Sequence, residues 1–290
     1  MQEKIKRKGG INVEQKLKEM LNHKCTRVRY LTIDEIGELG VGHAGGSMSM
    51  VEALVVLYYK QMNIDTKNPK MEGRDRFVLS KAHAGPALYA TLADKGFFPL
   101  EDLMTLNKPG TSLPSHADMV RTVGVDMTAG SLGQGLSCAT GIAIGSKLRK
   151  DGAYTYAMIG DGETNEGQIW EAAMYAAHME LDHLICFTDY NKMQLDGEVN
   201  EINSIEPLAD KWTSFGWNVY SVDGHDVEQI DDAITDAKGK KGKPTMILLN
   251  TLKGKGVSFL EKNWRNNHNV NISPEERALA LEELKAGCEA

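Results

Sequence analysis

The chain has 290 residues and a mass of 31.9 kDa, with 33 Lys and Arg against 40 Asp and Glu for a net charge of −7, and 41% hydrophobic residues. That composition suits a globular chain able to bury a large core, as one large α/β domain or two smaller ones, and it excludes disordered, collagen-like and disulfide-scaffold classes. A pI of 5.7 with mixed signs argues against a nucleic-acid polyanion as the main partner, so an anionic ligand needs a local device.

Met1–Gly10 is basic and runs straight into polar sequence, and the longest strongly apolar run, Leu54–Tyr59, is far too short to cross a bilayer. The protein is therefore expected to be cytoplasmic, neither secreted nor membrane-spanning. Val13–Leu39 carries helix formers with apolar positions at helical spacing; a glycine-rich turn, Gly40–Gly46, then leads into a helical stretch, Ser49–Gln61. Arg76–Leu79 is a short apolar run and Pro86–Lys95 reads as helix. Pro99–Gly130 has scattered prolines and little periodicity, the pattern of a functional loop.

Beyond Gly133 helix and strand alternate. Helices are expected at Leu136–Leu148, Gly167–Met179, Pro207–Phe215 and Val227–Ala237, and strands at Thr155–Ile159, Leu184–Thr188, Trp217–Val222 and Thr245–Asn250. Near-continuously apolar strands between helices predict an α/β fold with a largely parallel sheet flanked by helices on both faces. The tail Ser273–Leu284 is a capped helix, with Ser273 and Glu276 forming the box and Pro274 at the first helical position. Cys25, Cys138, Cys186 and Cys288 form no C-x-x-C pair, which fits reduced thiols better than a disulfide frame or a sulfur-ligated metal.

The chemistry concentrates in Ala157–Gly197. One apolar strand ends in Gly160-Asp161-Gly162, a helix follows, and a second strand ends at Asp189-Tyr190-Asn191. Asp161 and Asn191 lie 30 residues apart, the length of a strand–helix–strand unit. Its right-handed crossover sets both strand ends on one sheet edge, in the crevice where such sheets bind ligands. A carboxylate, a side-chain amide oxygen and a nearby backbone carbonyl, that of Met193, make three hard oxygen ligands, leaving an octahedral Mg²⁺ or a more tolerant Ca²⁺ with positions for diphosphate oxygens. Gly160 and Gly162 let the main chain approach phosphates, and the helix beginning near Gly167 adds amide donors, so metal rather than lysine is expected to neutralise the diphosphate. Gly-Asp-Gly alone would be a plain turn; Asn191 at the end of the next strand favours the functional reading. GDGETNEG does not fit G-x-G-x-x-G, and Lys253–Ser258 lacks phosphate-loop spacing.

The Gly-Asp-Gly to Asn spacing is similar to the thiamine diphosphate motif. With GDGETNEGQIWEAAMYAA, VGHAGGSMSMVEAL, RDRFVLSKAHAGPALYA, the Pro114–His116 loop and TAGSLGQGLS, the chain resembles the amino-terminal half of transketolase, over most of residues 30–257. Transketolases are usually over twice this length, so the resemblance is to the amino-terminal subunit of a split transketolase. It implies a thiamine-diphosphate-binding fold, a single diphosphate-binding domain over 1–290 and a helical arm, about 12–60, packed on it.

By the same resemblance Asp161, Asn191 and Met193 would hold the metal, Gly162 and His83 would contact the diphosphate, and Gly130 and Leu132 would pack against the cofactor's rings. His116 would meet a donor-sugar hydroxyl, and His43 would serve substrate hydroxyls and proton transfers. Glu166 would join a carboxylate network at the subunit contact. Where the family commonly has Trp-His-Gly, this chain reads Trp264-Arg-Asn-Asn-His268; either His268 reaches the same place or a group such as Arg265 takes the role. His178, His183 and His225 match no cofactor position and are expected to be structural. The implied activity is transfer of a two-carbon ketol unit from a ketose, free or phosphorylated, to an aldose, with thiamine diphosphate and Mg²⁺ or Ca²⁺. A separate carboxy-terminal pyrimidine-binding subunit, most simply in an α2β2 assembly, would supply the activating glutamate. Rival readings are the α subunit of a thiamine-dependent 2-oxo acid dehydrogenase and a non-catalytic thiamine diphosphate-binding protein.

Overall fold

A computed structural model describes residues 13–195 and 197–288; the basic Met1–Gly10 stretch lies outside them. Helix α1 (Val13–Leu39) buries Leu21, Cys25, Val28, Thr32 and Ile36, one stripe at helical spacing. It stops at Gly40, whose φ of +83° only glycine adopts cheaply, with the Gly40 N–H donating to the Ile36 carbonyl at 2.9 Å. After β1 (Val41–Gly42) come α2 (Ala44–Met48) and α3 (Val51–Val56), the latter running into a π-helical turn at Leu57–Gln61. The expectation of a turn through Gly46 is therefore corrected: Gly45 and Gly46 are helical. They are needed for close packing, because a Cβ on Gly45 would stand 2.3 Å from the Asn267 side-chain oxygen.

The next elements are β2 (Arg76–Leu79), α4 (Gly85–Lys95), a long irregular segment whose regular part is a 3₁₀ turn at Leu100–Thr105, and α5 (Gln134–Arg149). Then follow β3 (Thr155–Gly160), α6 (Gly167–His178), β4 (Leu184–Tyr190), the hairpin of β5 (Met193–Gln194) and β6 (Gly197–Glu198), and α7 (Val199–Ile202). The chain continues through α8 (Leu208–Ser214), β7 (Asn218–Asp223), α9 (Val227–Gly239), β8 (Thr245–Asn250), α10 (Ser258–Lys262), β9 (Val270–Asn271) and α11 (Pro274–Cys288). The capping box forms as expected: Ser273 N–H donates to Glu276 at 2.9 Å and Glu276 N–H to the Ser273 hydroxyl at 3.2 Å.

Among the described residues, β2, β3, β4, β8 and β7 lie in that order in one five-stranded sheet with every pairing parallel. Alternate side chains divide between two cores. Tyr156, Met158, Ile185 and Phe187 face a cluster shared with α1, α3, α4, α9 and α11. Ala157, Ile159, Leu184 and Cys186 face one built from α5, α6 and α8. Both faces are thus covered, as continuous apolar strands require. Trp170 of α6 packs at a tilt on Trp212, which meets Trp217 edge-on, with centroids 4.9 and 5.0 Å apart, and Trp170 Nε1 donates to the Thr164 carbonyl at 2.8 Å, tying the helix to the loop after β3.

Register places the site. Gly160 of β3 pairs with Asp189 of β4, so the loops opening at Asp161 and Asn191 leave the sheet side by side. Segments following β2 and β8 leave from the same edge. No helix among the described residues is long and apolar enough to span a membrane. Cys25, Cys138 and Cys186 are free thiols; the Cys288 side chain lies outside the description.

Candidate active site

A cavity of about 290 Å³ opens at the carboxyl ends of β2, β3, β4 and β8. Leu132, Asp161, Gly162, Glu166, Asn191 and Met193 all line it, as do His83 and His268. Asp161 is almost fully buried. Its Oδ1 accepts from Gly162 N–H at 2.7 Å and its Oδ2 from Lys192 N–H at 2.5 Å. Burial first, and the Asp189 charge second, push the Asp161 carboxyl up to about 7. Asn191 Oδ1 accepts from Met193 N–H at 3.0 Å and its amide nitrogen donates to Asp189 at 3.0 Å, which fixes the orientation of its side chain.

The amides of Gly160 and Gly162 are occupied by the Glu163 and Asp161 carboxylates, at 3.0 and 2.7 Å. A Cβ on Gly162 would meet the Gln194 side chain at 2.9 Å, so its bareness lets the hairpin close on the turn. A 3₁₀ turn, Gly162–Asn165, also intervenes before α6, whose N-cap is Glu166.

Four imidazoles cluster here from four distant segments; His83 and His268 line the cavity, His43 packs beside both, and His116 packs beside His43. His43 precedes α2, His83 lies in the 3₁₀ turn before α4, His116 sits in the irregular segment, and His268 follows the turn at Trp264–Asn266. The His43 centroid lies 5.4 Å from His83, 5.7 Å from His116 and 5.2 Å from His268, and His83 and His268 are 4.9 Å apart. Gly130 completes the group, its α-carbon facing the His116 ring. Burial, then the neighbouring charges of His116 and Lys253, hold His43 below the ordinary histidine value; burial, then Lys81, holds His83 well below it, and burial lowers His116. Rings held neutral in this way can accept a proton and, once protonated, give it back.

His268, not Arg265, joins the cluster. Arg265 turns outward to Glu198 and Glu201 and stacks over Trp264. His183 stacks on Tyr154 at 4.3 Å and His225 bridges Glu52 and Leu252 N–H, so both have structural partners outside the cavity. His178 packs near Tyr175.

Sequence reasoning missed the charged groups behind the wall. Lys81 is 2% exposed and donates to Asp189 at 2.5 Å and to the Gly46 carbonyl at 2.7 Å. Asp189 also accepts from Ser49 at 2.6 Å and Thr251 at 2.5 Å. Burial raises the Asp189 carboxyl, but the Lys81 charge and these hydrogen bonds outweigh it and hold the group below the usual range. Lys253, also buried, lines the cavity and donates to the Leu195 carbonyl at 2.6 Å. Two buried ammonium groups thus stand in the wall of the cavity, beside the edge where metal is expected to neutralise a diphosphate. Glu163 clamps the floor, accepting from Ser80, from Gly133 N–H at 2.8 Å and from Gly160 N–H at 3.0 Å. Lys81 lies two residues before His83, a hint available in the sequence; Asp189 declares itself only through packing.

Among the described residues no three His, Cys, Asp or Glu side chains converge as a metal site. A cation at Asp161 and Asn191 would instead be completed by neutral oxygens and by the ligand, which suits a hard Mg²⁺ or Ca²⁺ shared with a diphosphate. The donor set fits such an ion.

Residues 21–286 match the family model of the transketolase thiamine diphosphate binding domain. The chain is 57% identical to a 6-deoxy-6-sulfo-D-fructose transketolase subunit of Clostridium sp. (strain MSTE9), over 91% of this chain and 96% of that one. It is 36% identical to one of the subunits of an apulose-4-phosphate transketolase from Phocaeicola vulgatus, over 87% and 89% of the two chains. Transketolase from Campylobacter jejuni superposes with a TM-score of 0.85 at 30% identity, covering 94% of this chain but 43% of that one. The chain therefore belongs to the transketolase family, as the thiamine diphosphate-binding, amino-terminal subunit of a split transketolase.

Proposed function

We propose that this subunit, with a separate pyrimidine-binding partner in an α2β2 assembly in the cytoplasm, transfers a two-carbon ketol unit from a 6-deoxy-6-sulfoketose to an aldose. The sulfonated donor is favoured by the 57% identity to a subunit named for that substrate; a ketose phosphate is the second reading, supported at 36% identity. The described residues are read as one diphosphate-binding domain with the 13–60 helices packed on it, since α1, α3 and the sheet share a core.

Asp161, Asn191 and the Met193 carbonyl would hold Mg²⁺, and through it the diphosphate of thiamine diphosphate, with Gly162 and His83 beside the phosphates and Gly130 and Leu132 against the rings. When bound, the cofactor supplies a thiazolium that stabilises a carbanion and so allows a carbon–carbon bond beside a hydroxyl to break. The chain's own residues orient the sugar and move protons. His116 would bind a donor hydroxyl; His43 and His268 would take the hydroxyl proton as the bond breaks and return one to the new product. Lys81 and Lys253 add positive potential behind the diphosphate. Glu166, exposed at the cavity rim, would meet the partner.

The single observation carrying this reading is a cluster of four imidazoles, two of which, His83 and His268, line the cavity at the Asp161–Asn191 edge. The test is reconstitution with the partner subunit. Ketol transfer is expected from the complex with cofactor and Mg²⁺, and none from this chain alone. Full turnover by the isolated chain, or turnover of 2-oxo acids in its place, would overturn the proposal; tight cofactor binding without turnover in any complex would favour a non-catalytic role.

A further inference from the structure

His43 and His268 are tied together by a joint between the start of α2 and two loops. Asn267, immediately before His268, is completely buried. Its side-chain amide donates to the Lys253 carbonyl at 3.0 Å and to the Leu260 carbonyl at 3.0 Å. Its backbone carbonyl accepts from Gly45 N–H at 2.9 Å, and the Gly45 carbonyl in turn accepts from Gly254 N–H at 3.0 Å. The three segments thus hydrogen-bond to one another in a closed ring, and each carries a group of the site close to its joint residue: His43 two positions before Gly45, and the cavity-lining Lys253 and His268 beside Gly254 and Asn267.

Two features separate this joint from ordinary loop packing. The Asn267 Oδ1 is buried without a hydrogen-bond partner, a cost that burial imposes and that a smaller or apolar residue would avoid. Contact with Gly45 is also so close that any Cβ there would fall 2.3 Å from Oδ1 and 2.5 Å from the Asn267 carbonyl oxygen. Outside the joint, Arg265 braces the same loop through Glu198 and Glu201.

We propose that Asn267 is a positioning residue that sets His268, His43 and Lys253 relative to one another without itself touching substrate or cofactor. Two hydrogen bonds donated by its side-chain amide and one accepted by its carbonyl tie the Lys253 loop, α10 and α2 to the His268 loop, so releasing them lets the 5.2 Å His43–His268 spacing drift. A displacement of about 1 Å at reacting groups can cost about a hundredfold in rate. The kinetic part of the inference rests on the ketol-transfer reading; the geometric part does not.

The experiment therefore has two arms. In the isolated full chain, with histidine rings labelled for NMR, Asn267→Ala is expected to move the Cε1–H resonances of His43 and His268 and to leave those of His178 and His183 in place. Gly45→Ala, made on the opposite side of the joint, is expected to move the same pair. Asn267→Ser, which retains one donor, is expected to move them less and keeps the test open if the alanine variant does not fold. Unmoved His43 and His268 resonances, or equal movement of all four, would overturn the proposal whatever the enzyme's reaction. In the complex with the partner subunit, Asn267→Ser is expected to lower kcat with little change in KM or cofactor affinity. A change in KM or cofactor affinity alone would overturn the positioning role.

Discussion

Lys81 and Asp189 form an ion pair at 2.5 Å in which the side chains are 2% and 0% exposed. The pair stands behind both halves of the site, since Asp189 also receives Asn191 and Lys81 also holds the Gly46 carbonyl. A buried pair is costly to break from one side because the remaining charge has neither water nor partner. Lys81→Met is therefore expected to destabilise the chain by about 3–5 kcal/mol, and adding Asp189→Asn to recover part of that loss. Urea unfolding of the two single variants and the double variant measures it; a single-variant loss below about 1 kcal/mol would show that the pair is not compensated as described.

Acid sensitivity should trace to Glu52. Burial raises its carboxyl, but the Arg29 guanidinium at 2.7 Å and His225 at 3.2 Å outweigh that and bring it to about 2 from an ordinary 4.5. A depressed carboxyl contributes stability that is complete above the unfolded value and lost as pH falls through the folded one, here between 4.5 and about 2. The contribution is about 3 kcal/mol. Glu52→Gln should lower stability at pH 7 by about that amount and flatten this part of the acid limb in a pH series of thermal melts. An unchanged limb would remove Glu52 from the account.

Gly133 is required twice over. Its φ is +86°, and a Cβ there would lie 2.9 Å from the Glu166 Cβ and from the Gln168 Cγ. Gly133→Ala is expected to cost about 1–3 kcal/mol and to displace Glu166 at the cavity rim, weakening partner association more than cofactor binding. Calorimetric melts together with titration of the partner subunit separate the two effects.

Much of the fold is legible in the sequence because periodicity carries it. The β3–α6–β4 unit announces itself by its apolar strands and by the 30-residue spacing of Asp161 and Asn191, and the parallel pairing then follows from crossover geometry. The irregular Pro99–Gly130 segment is legible as a lack of pattern. Gly45 and Gly46 read as a turn in the sequence, yet Gly45 is there for its contact with Asn267, over 200 residues away, and Gly46 packs against His83 and Lys81. The Lys81–Asp189 pair has no local signature for the same reason: neither residue type in a strand–loop context implies the other. The histidine cluster follows from resemblance to a family, not from spacing, and the joint that assembles it is visible only in three dimensions.

An anion should change the protonation of the site in a defined direction. Burial comes first, then the charges of Lys81, His268, His43 and His116, in keeping His83 well below 6.5, and His43 and His116 are lowered too. For a histidine whose folded value is depressed, the unfolded chain binds the extra proton. Stability is then full above 6.5 and declines as pH falls below it, until the folded groups titrate as well. A diphosphate beside His83 supplies the opposite charge and raises its value, so binding near pH 6 is expected to take up protons and to strengthen relative to binding at pH 8 once the ligand's own ionisation and the proton that Mg²⁺ displaces from Asp161 are subtracted. Calorimetry of thiamine diphosphate with Mg²⁺ in two buffers of different ionisation enthalpy counts those protons, and histidine NMR assigns them. Proton uptake that persists in His83→Asn, or no uptake in the parent chain, would place the diphosphate away from His83.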